Sequence, residues 1–296
     1  MKKVLSVACA LCMTTAMLTG CGSSNNAGTA ATGEAQNSAA ASTTTEQAST
    51  ATDAGTTLIA LITMDSLDQH WVTLNEGAQK AAAELGVTVQ FMAPNTKDDA
   101  QQIECVNNAV SAGAQAIIVA ANGPDAISSA LREASDAGVK LIYVDSPANV
   151  SAEATFSTDN NAAGKTAGEE MKKALADAGV TSGSIGIINV NAATDSCVMR
   201  EEGFRSAFEG TDFELLETQY GEGDAAKSQS IAENYITQGV VGIFGCNEGS
   251  TTGAGNAIKA SGKDNVIGVG FDKSDAILGL IDDGYLPVSY THLTLP

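Results

Sequence analysis

Basic residues are scarce in this chain: 15 Lys and Arg stand against 35 Asp and Glu in 296 residues, a formal net charge of −20. Nucleic-acid binding needs Lys and Arg stripes that neutralise phosphates, so the composition excludes it. The same acidity gives no polybasic attraction to anionic lipid. Histidine is scarcer still, with only His70 and His292. No Gly-x-Ser-x-Gly elbow, Walker loop or zinc-ligand cluster accompanies them. A Cys197–His70 dyad would draw on opposite halves of the chain and has no third group to orient it. Gly253-Ala254-Gly255 lacks the third glycine and later acidic residue of a dinucleotide site. No enzyme activity, cofactor or metal is expected.

The apolar run at 4–18 is too short to span a bilayer comfortably and follows Met1-Lys2-Lys3, as in a signal peptide. It ends in Leu18-Thr19-Gly20-Cys21, which resembles the lipobox of bacterial lipoproteins. That resemblance implies cleavage before Cys21, lipidation of its thiol, and attachment at a cell surface or in a periplasm. Two acyl chains give durable attachment, each buried methylene contributing about 0.8 kcal/mol. The alternative is a plain secretory signal with a cysteine nearby. Residues 22–55 are mostly Ala, Ser, Thr, Gly, Asn and Gln. Such a segment buries too little to offset its ordering entropy and reads as a tether reaching on the order of 30 Å. With Cys9 and Cys12 in the signal and Cys21 lipidated, Cys105, Cys197 and Cys246 remain. An odd number argues against a disulfide framework, although a Cys197–Cys246 bridge stays open.

From residue 56 the chain alternates. Short β-branched runs at 57–62, 87–91, 116–120 and 139–144 are apolar on both faces, as buried parallel strands are. Between them Trp71, Leu74, Ala78, Ala81, Ala82 and Leu85 recur at helical spacing, as do Ile103, Val106 and Val110. Gly86, Gly113 and Gly138 stand where left-handed C-caps would end such helices. A second series has strand-like runs at 185–190, 213–217, 240–244 and 266–270, and helix-like segments at 162–178, 201–208, 225–237 and 253–259. The pattern predicts an α/β protein of two doubly wound parallel-sheet lobes, hinged near 155–159.

In such sheets ligands bind outside the carboxyl ends of strands. Asp65 and Asp68 follow the first run, Asn122 the third and Asp145 the fourth. In the second half Asn191 and Thr194 follow the first run, Asn247 and Glu248 the third, and Asp272 the fourth. Carboxylates and amides suit a ligand rich in hydroxyl groups. Each charge-assisted bond of this kind contributes roughly 1.5 to 3 kcal/mol. His70 and Trp71 offer a flat face for the apolar side of a sugar ring.

Residues 63–79 resemble the opening motif of type I periplasmic sugar-binding proteins, the ribose-binding group of ABC-transporter receptors. Further matches are Asp145, Ser157-Thr158-Asp159-Asn160, Arg200-Glu201-Glu202-Gly203-Phe204, Asn247-Glu248 and Gly268-Val269-Gly270-Phe271-Asp272, so that the likeness covers residues 58–285. It implies ligand contacts from Asp68, His70, Trp71, Asp145, Asn247 and Asp272. His70 and Trp71 stand where the family often has Phe-Phe, Ser146 and Val198 where ribose binders have Arg, and Arg200 matches a structural Arg. These departures argue against ribose itself. Three carboxylates with little nearby cation would reject an anionic ligand and favour a neutral sugar or polyol, with a cationic molecule as the variant.

Each site residue also has a plainer reading. Asp68 suits an N-cap, His70 a helix start, Trp71 a core stripe, and Asp145, Asp272 and Asn247 turns. Asp159-Asn160 is structural at the crossover. The organisation expected is a signal at 1–20, a tether at 21–55, lobes at 56–157 and 158–284, and a truncated, foreign tail at 285–296. The function expected is that of a monomeric lipoprotein that captures a small sugar or polyol by hinge closure for an ABC permease. The alternative is a receptor that presents the solute to a chemoreceptor or sensor kinase. A repressor is disfavoured, since no DNA-binding helix pair precedes the first strand.

Overall fold

The computed structural model describes residues 56–290 other than Asp264. The expected signal, the tether with its lipidation site Cys21, and the last six residues of the tail lie outside the described residues. The β-branched runs pair as two parallel sheets. The first holds β1 (Leu58–Ile62), β2 (Thr88–Met92), β3 (Ala116–Val119), β4 (Lys140–Val144) and β5 (Ala154–Phe156), in the order β2-β1-β3-β4-β5. The second holds β6 (Gly183–Asn189), β7 (Phe213–Leu215), β9 (Gly242–Gly245), β10 (Ile267–Phe271) and β11 (Val288–Tyr290). Its order is β11-β10-β9-β6-β7, with β8 (Gln219–Tyr220) also on β6. The two sheets thus repeat one topology, with the order reversing beside β1 and beside β6. The stretch expected to be a plain crossover contributes β5, three residues too short to show a period. The start of the tail also packs here: Leu286 is buried, and β11 pairs with β10.

Among the described residues eight helices connect the strands: α1 (Gln69–Leu85), α2 (Asp99–Ser111), α3 (Pro124–Asp136), α4 (Asn160–Asp177), α5 (Asp195–Ala207), α6 (Ala225–Gln238), α7 (Glu248–Ser261) and α8 (Asp275–Asp282). Polar caps start several of them. Asp98, Asp159, Asp224 and Ser274 each accept the amide three residues on, satisfying donors that a helix leaves free.

The second sheet is covered on both faces. On one, Ile185, Ile187 and Phe244 pack against Met171 and Leu175 of α4 and Phe204 of α5. On the other, Ile188 and Ile243 pack against Ala232 and Tyr235 of α6 and Ala257 and Ile258 of α7. The α4–α5 crossing is close enough to require glycine: a Cβ on Gly203 would lie 2.0 Å from the Asn161 carbonyl oxygen. The first sheet differs. Ala60, Ile62, Ile117 and Leu141 are sealed by Val106 of α2 and Ile127 and Leu131 of α3. Among the described residues the opposite face carries α1 alone, which buries Trp71 and Ala82 and leaves Leu85 75% exposed.

Candidate functional site

The carboxyl ends of both sheets face one another across a seam. Within it lies a small cavity of about 20 Å³, lined by Met64, Asp68, His70, Trp71, Lys97, Asp145, Val190, Ser196, Cys197, Arg200, Asn247 and Asp272. A wider cavity of about 490 Å³ shares His70, Asp145, Arg200 and Asp272 with it and continues past Gln69, Thr73, Thr158 and Lys273. Six of the expected site residues, Asp68, His70, Trp71, Asp145, Asn247 and Asp272, therefore meet in one place.

Asp145 and Asp272 occupy corresponding positions, one residue past β4 and one past β10. Both have left-handed backbones, φ 60° and φ 71°, a conformation unfavourable for a residue with a Cβ. Each is held by a serine at or just past the next strand: Ser157 Oγ, after β5, donates to the Asp145 carbonyl, and Ser289 Oγ, in β11, donates to the Asp272 carbonyl at 2.7 Å. The turns aim the two carboxylates at one guanidinium. Arg200 Nη2 lies 3.6 Å from Asp145 Oδ1, and Nη1 lies 3.9 Å from Asp272 Oδ2. The same side chain donates from Nε to Asn160 Oδ1 at 2.9 Å and from Nη1 to the Cys246 carbonyl at 3.0 Å, and stacks 4.1 Å over the Phe271 ring. Burial works against its charge, but Asp272 and Asp145 more than offset this and keep it protonated.

A second buried cation sits opposite. Lys97 Nζ bonds to Asp65 Oδ2, and to Asp68 Oδ2 at 2.7 Å. Burial raises the Asp65 pKa, yet Lys97 and the Leu67 and Asp68 amides outweigh it and leave the group lowered. Asp68 goes the other way, to about 6: burial dominates, Lys97 opposes it, and the negative charges of Asp65 and Asp272 add to it. The expectation of carboxylates with little nearby cation is thus corrected. Arg200 is a pairing group within the site, and Lys97, absent from the expected site residues, reaches it from the loop after β2.

Two side chains keep hydrogen-bonding capacity in hand. Asn247 caps α7 with Oδ1, which accepts the Ser250 amide at 3.1 Å, while its buried Nδ2 has no partner. The indole of Trp71 is buried against Met64, Ala120 and Val144, and its N–H also lacks a partner. Both line the small cavity. An unsatisfied buried donor costs about 1 to 3 kcal/mol, so both suit a ligand that brings acceptors. His70 meets Trp71 edge-on, with ring centroids 4.6 Å apart.

Asn122 and Thr194 are placed differently. Both are buried outside the cavity lining, and Thr194 Oγ1 donates to the Asn122 carbonyl at 2.7 Å across the seam. The Asn122 amide group donates to Asp99 Oδ1 at 2.6 Å. Ser146, where the family pattern has Arg, lies 2.8 Å from Ser196 Oγ of the second half. Cys105, Cys197 and Cys246 are free thiols. Burial pushes the Cys197 thiol up to about 11, so it is not a reactive thiolate. Among the described residues no group of His, Cys, Asp and Glu is arranged to hold a metal ion.

A family model described as a periplasmic binding protein domain matches residues 59–292. The chain belongs to the periplasmic binding protein family. It is 30% identical over 230 residues to the ribose import binding protein RbsB of Haemophilus influenzae, covering 77% of this chain and 76% of that one. Among solved structures, a carbohydrate transporter solute binding protein from Agrobacterium radiobacter in complex with D-arabinose matches with a TM-score of 0.75 and 27% identity, over 79% of this chain and 81% of that one. The XylFII–LytSN complex matches with a TM-score of 0.72 and 25% identity, over 78% and 85%.

Proposed function

We propose that this periplasmic binding protein captures a small neutral sugar or polyol between its two lobes and hands it to an ABC permease. The observation that carries the reading is the pairing of two left-handed aspartates, Asp145 and Asp272, from corresponding strand ends, beside unpartnered donors on Trp71 and Asn247. Such a lining offers acceptors and donors together, which is what a polyhydroxylated ring requires. Acidic residues outnumber Lys97 and Arg200 around the cavity, which disfavours a phosphorylated or carboxylated solute. The sugar binders among its relatives support the class and leave the individual sugar open. Lobe opening and closing would admit and enclose the solute, which shifts that equilibrium by its greater affinity for the closed form. Lipidation at Cys21 would hold the protein at the outer face of a membrane, on the strength of the lipobox alone.

A thermal-shift screen of pentoses, hexoses, polyols and nucleosides tests the reading, because a ligand of the folded state raises the melting temperature by mass action. The expected result is a rise with one or a few neutral sugars and none with sugar phosphates or uronates. A rise confined to anionic solutes would overturn it. A second reading is presentation of the solute to a chemoreceptor or sensor kinase; the match to the XylFII–LytSN complex, a similar protein bound to a second one, supports docking of a protein partner. Genes adjoining this one separate the two: a permease with an ATPase supports transport, a kinase alone supports sensing.

A further inference from the structure

Helix α1 begins without a cap of its own. Asp68 holds the N-cap position, but its carboxylate accepts from Lys97, and the first turn has no acidic side chain. The first amides of a helix need partners and favour negative charge. Here the partner comes from the other lobe: Glu248 Oε2 accepts the His70 amide at 3.3 Å, 178 residues away in the chain. Glu248 is itself anchored, its amide donating to Asp272 Oδ2 at 2.8 Å. Only its side chain crosses the seam.

We propose that Glu248 is a latch that caps α1 in trans to hold the two lobes closed, and that closing takes up protons at the facing Asp68 and Glu248 carboxyls. The inference goes beyond the sugar reading and requires only that the lobes can part. Facing Glu248 from the first lobe are Asp65, Asp68, His70 and Lys97. From the second come Asp272, with Arg200 behind it, and Glu222 and Asp224 along the groove outside. Acids predominate, so closing moves two carboxyls out of water and toward like charge. In the closed form Glu248 stands at about 7, through burial first and Asp68 next, against an ordinary 4.5. Asp68 is raised as well. Parted lobes return Glu248 to water, and leave Asp68 with Lys97 of its own lobe but without the burial and the Asp272 charge that raise it. The closed form therefore binds more protons than the open one between those limits. Closure is favoured at low pH and weakens as pH rises through about 7.

Small-angle X-ray scattering on the full chain, with no sugar present, reads the balance directly. Between about pH 8 and about pH 5.5 the radius of gyration should fall as the closed-to-open ratio rises roughly tenfold. Glu248→Gln keeps an acceptor for the α1 amides and loses the charge, so it should be more compact than the wild type at pH 8 and keep only the smaller response that Asp68 supplies. Glu248→Ala should be expanded at both. A wild-type radius unchanged between the two pH values, or a Glu248→Gln protein that keeps the wild-type response, would overturn the latch. Because no sugar enters the experiment, its failure is distinct from failure of the sugar screen.

Discussion

The two lobes share one strand order and differ in how completely it is covered. In the second, helices seal both faces of the sheet, and Ile188 and Ile243 on the α6–α7 side are fully buried. In the first, the α1 side leaves Ile59, Ile118 and Ile142 half-buried, Phe156 45% exposed and Leu85 exposed. The strand ends do not follow this asymmetry: Asp145 and Asp272 have the same backbone, the same serine support and the same guanidinium. The site thus depends on the repeated turns, while stability is concentrated in the second lobe. Substitutions placed at matching positions of the two lobes should separate these contributions.

The largest effect is expected at the α4–α5 crossing. Gly203→Val would drive a branched side chain into the α4 backbone, which cannot yield as a flexible side chain could. We expect a loss of about 3 kcal/mol or more by urea denaturation, enough to unfold much of the population. A variant as stable as the parent would mean that the crossing is looser than described.

Next come paired core truncations. Ile243→Ala removes a fully buried side chain flanked by helices and should cost about 2 to 5 kcal/mol. Ile118→Ala, on the open side of the first sheet, should cost about half as much, since part of that side chain already meets water. Equal losses would show that both faces are sealed alike in solution.

At the strand ends the lobes should respond alike. Asp145→Asn and Asp272→Asn retain a residue type that tolerates the left-handed turn and remove only the charge. Each should weaken binding of the best sugar from the thermal-shift screen by at least about tenfold, or 1.4 kcal/mol, in calorimetry. Loss at one aspartate and none at the other would break the symmetry of the site.

Much of this arrangement could be read from the residues in order. Runs such as 57–62 and 139–144 are apolar and β-branched on both faces, so they announce buried parallel strands, and the residue after each strand is a candidate site position by topology alone. Asp145 and Asp272 are found that way. The rest depends on distance. β5, β8 and β11 are two or three residues long and carry no period of their own. Asn122 and Thr194 occupy strand ends like the aspartates, but which ends face the cavity and which bond across the seam is set by how the lobes dock. Lys97 and Glu248 act through long side chains that reach partners 29 and 178 residues away, and nothing local identifies those partners. A positively charged residue in the loop after a strand, in a chain so poor in cations, was the one available signal for Lys97.

The smallest effect should carry the opposite sign, and it tests the open side of the first lobe most directly. Gly77 lies within α1, has no left-handed backbone, and a Cβ added there would meet nothing within 4 Å. Alanine loses less conformational freedom than glycine on entering a helix, so Gly77→Ala should stabilise the protein by about 0.5 to 1 kcal/mol. The corresponding change at Gly164 of α4, where a Cβ would lie 2.0 Å from the Arg200 carbonyl oxygen, should destabilise it instead. Melting temperatures of the two alanine variants should therefore move in opposite directions. A fall for Gly77→Ala would mean that another surface covers α1 in solution.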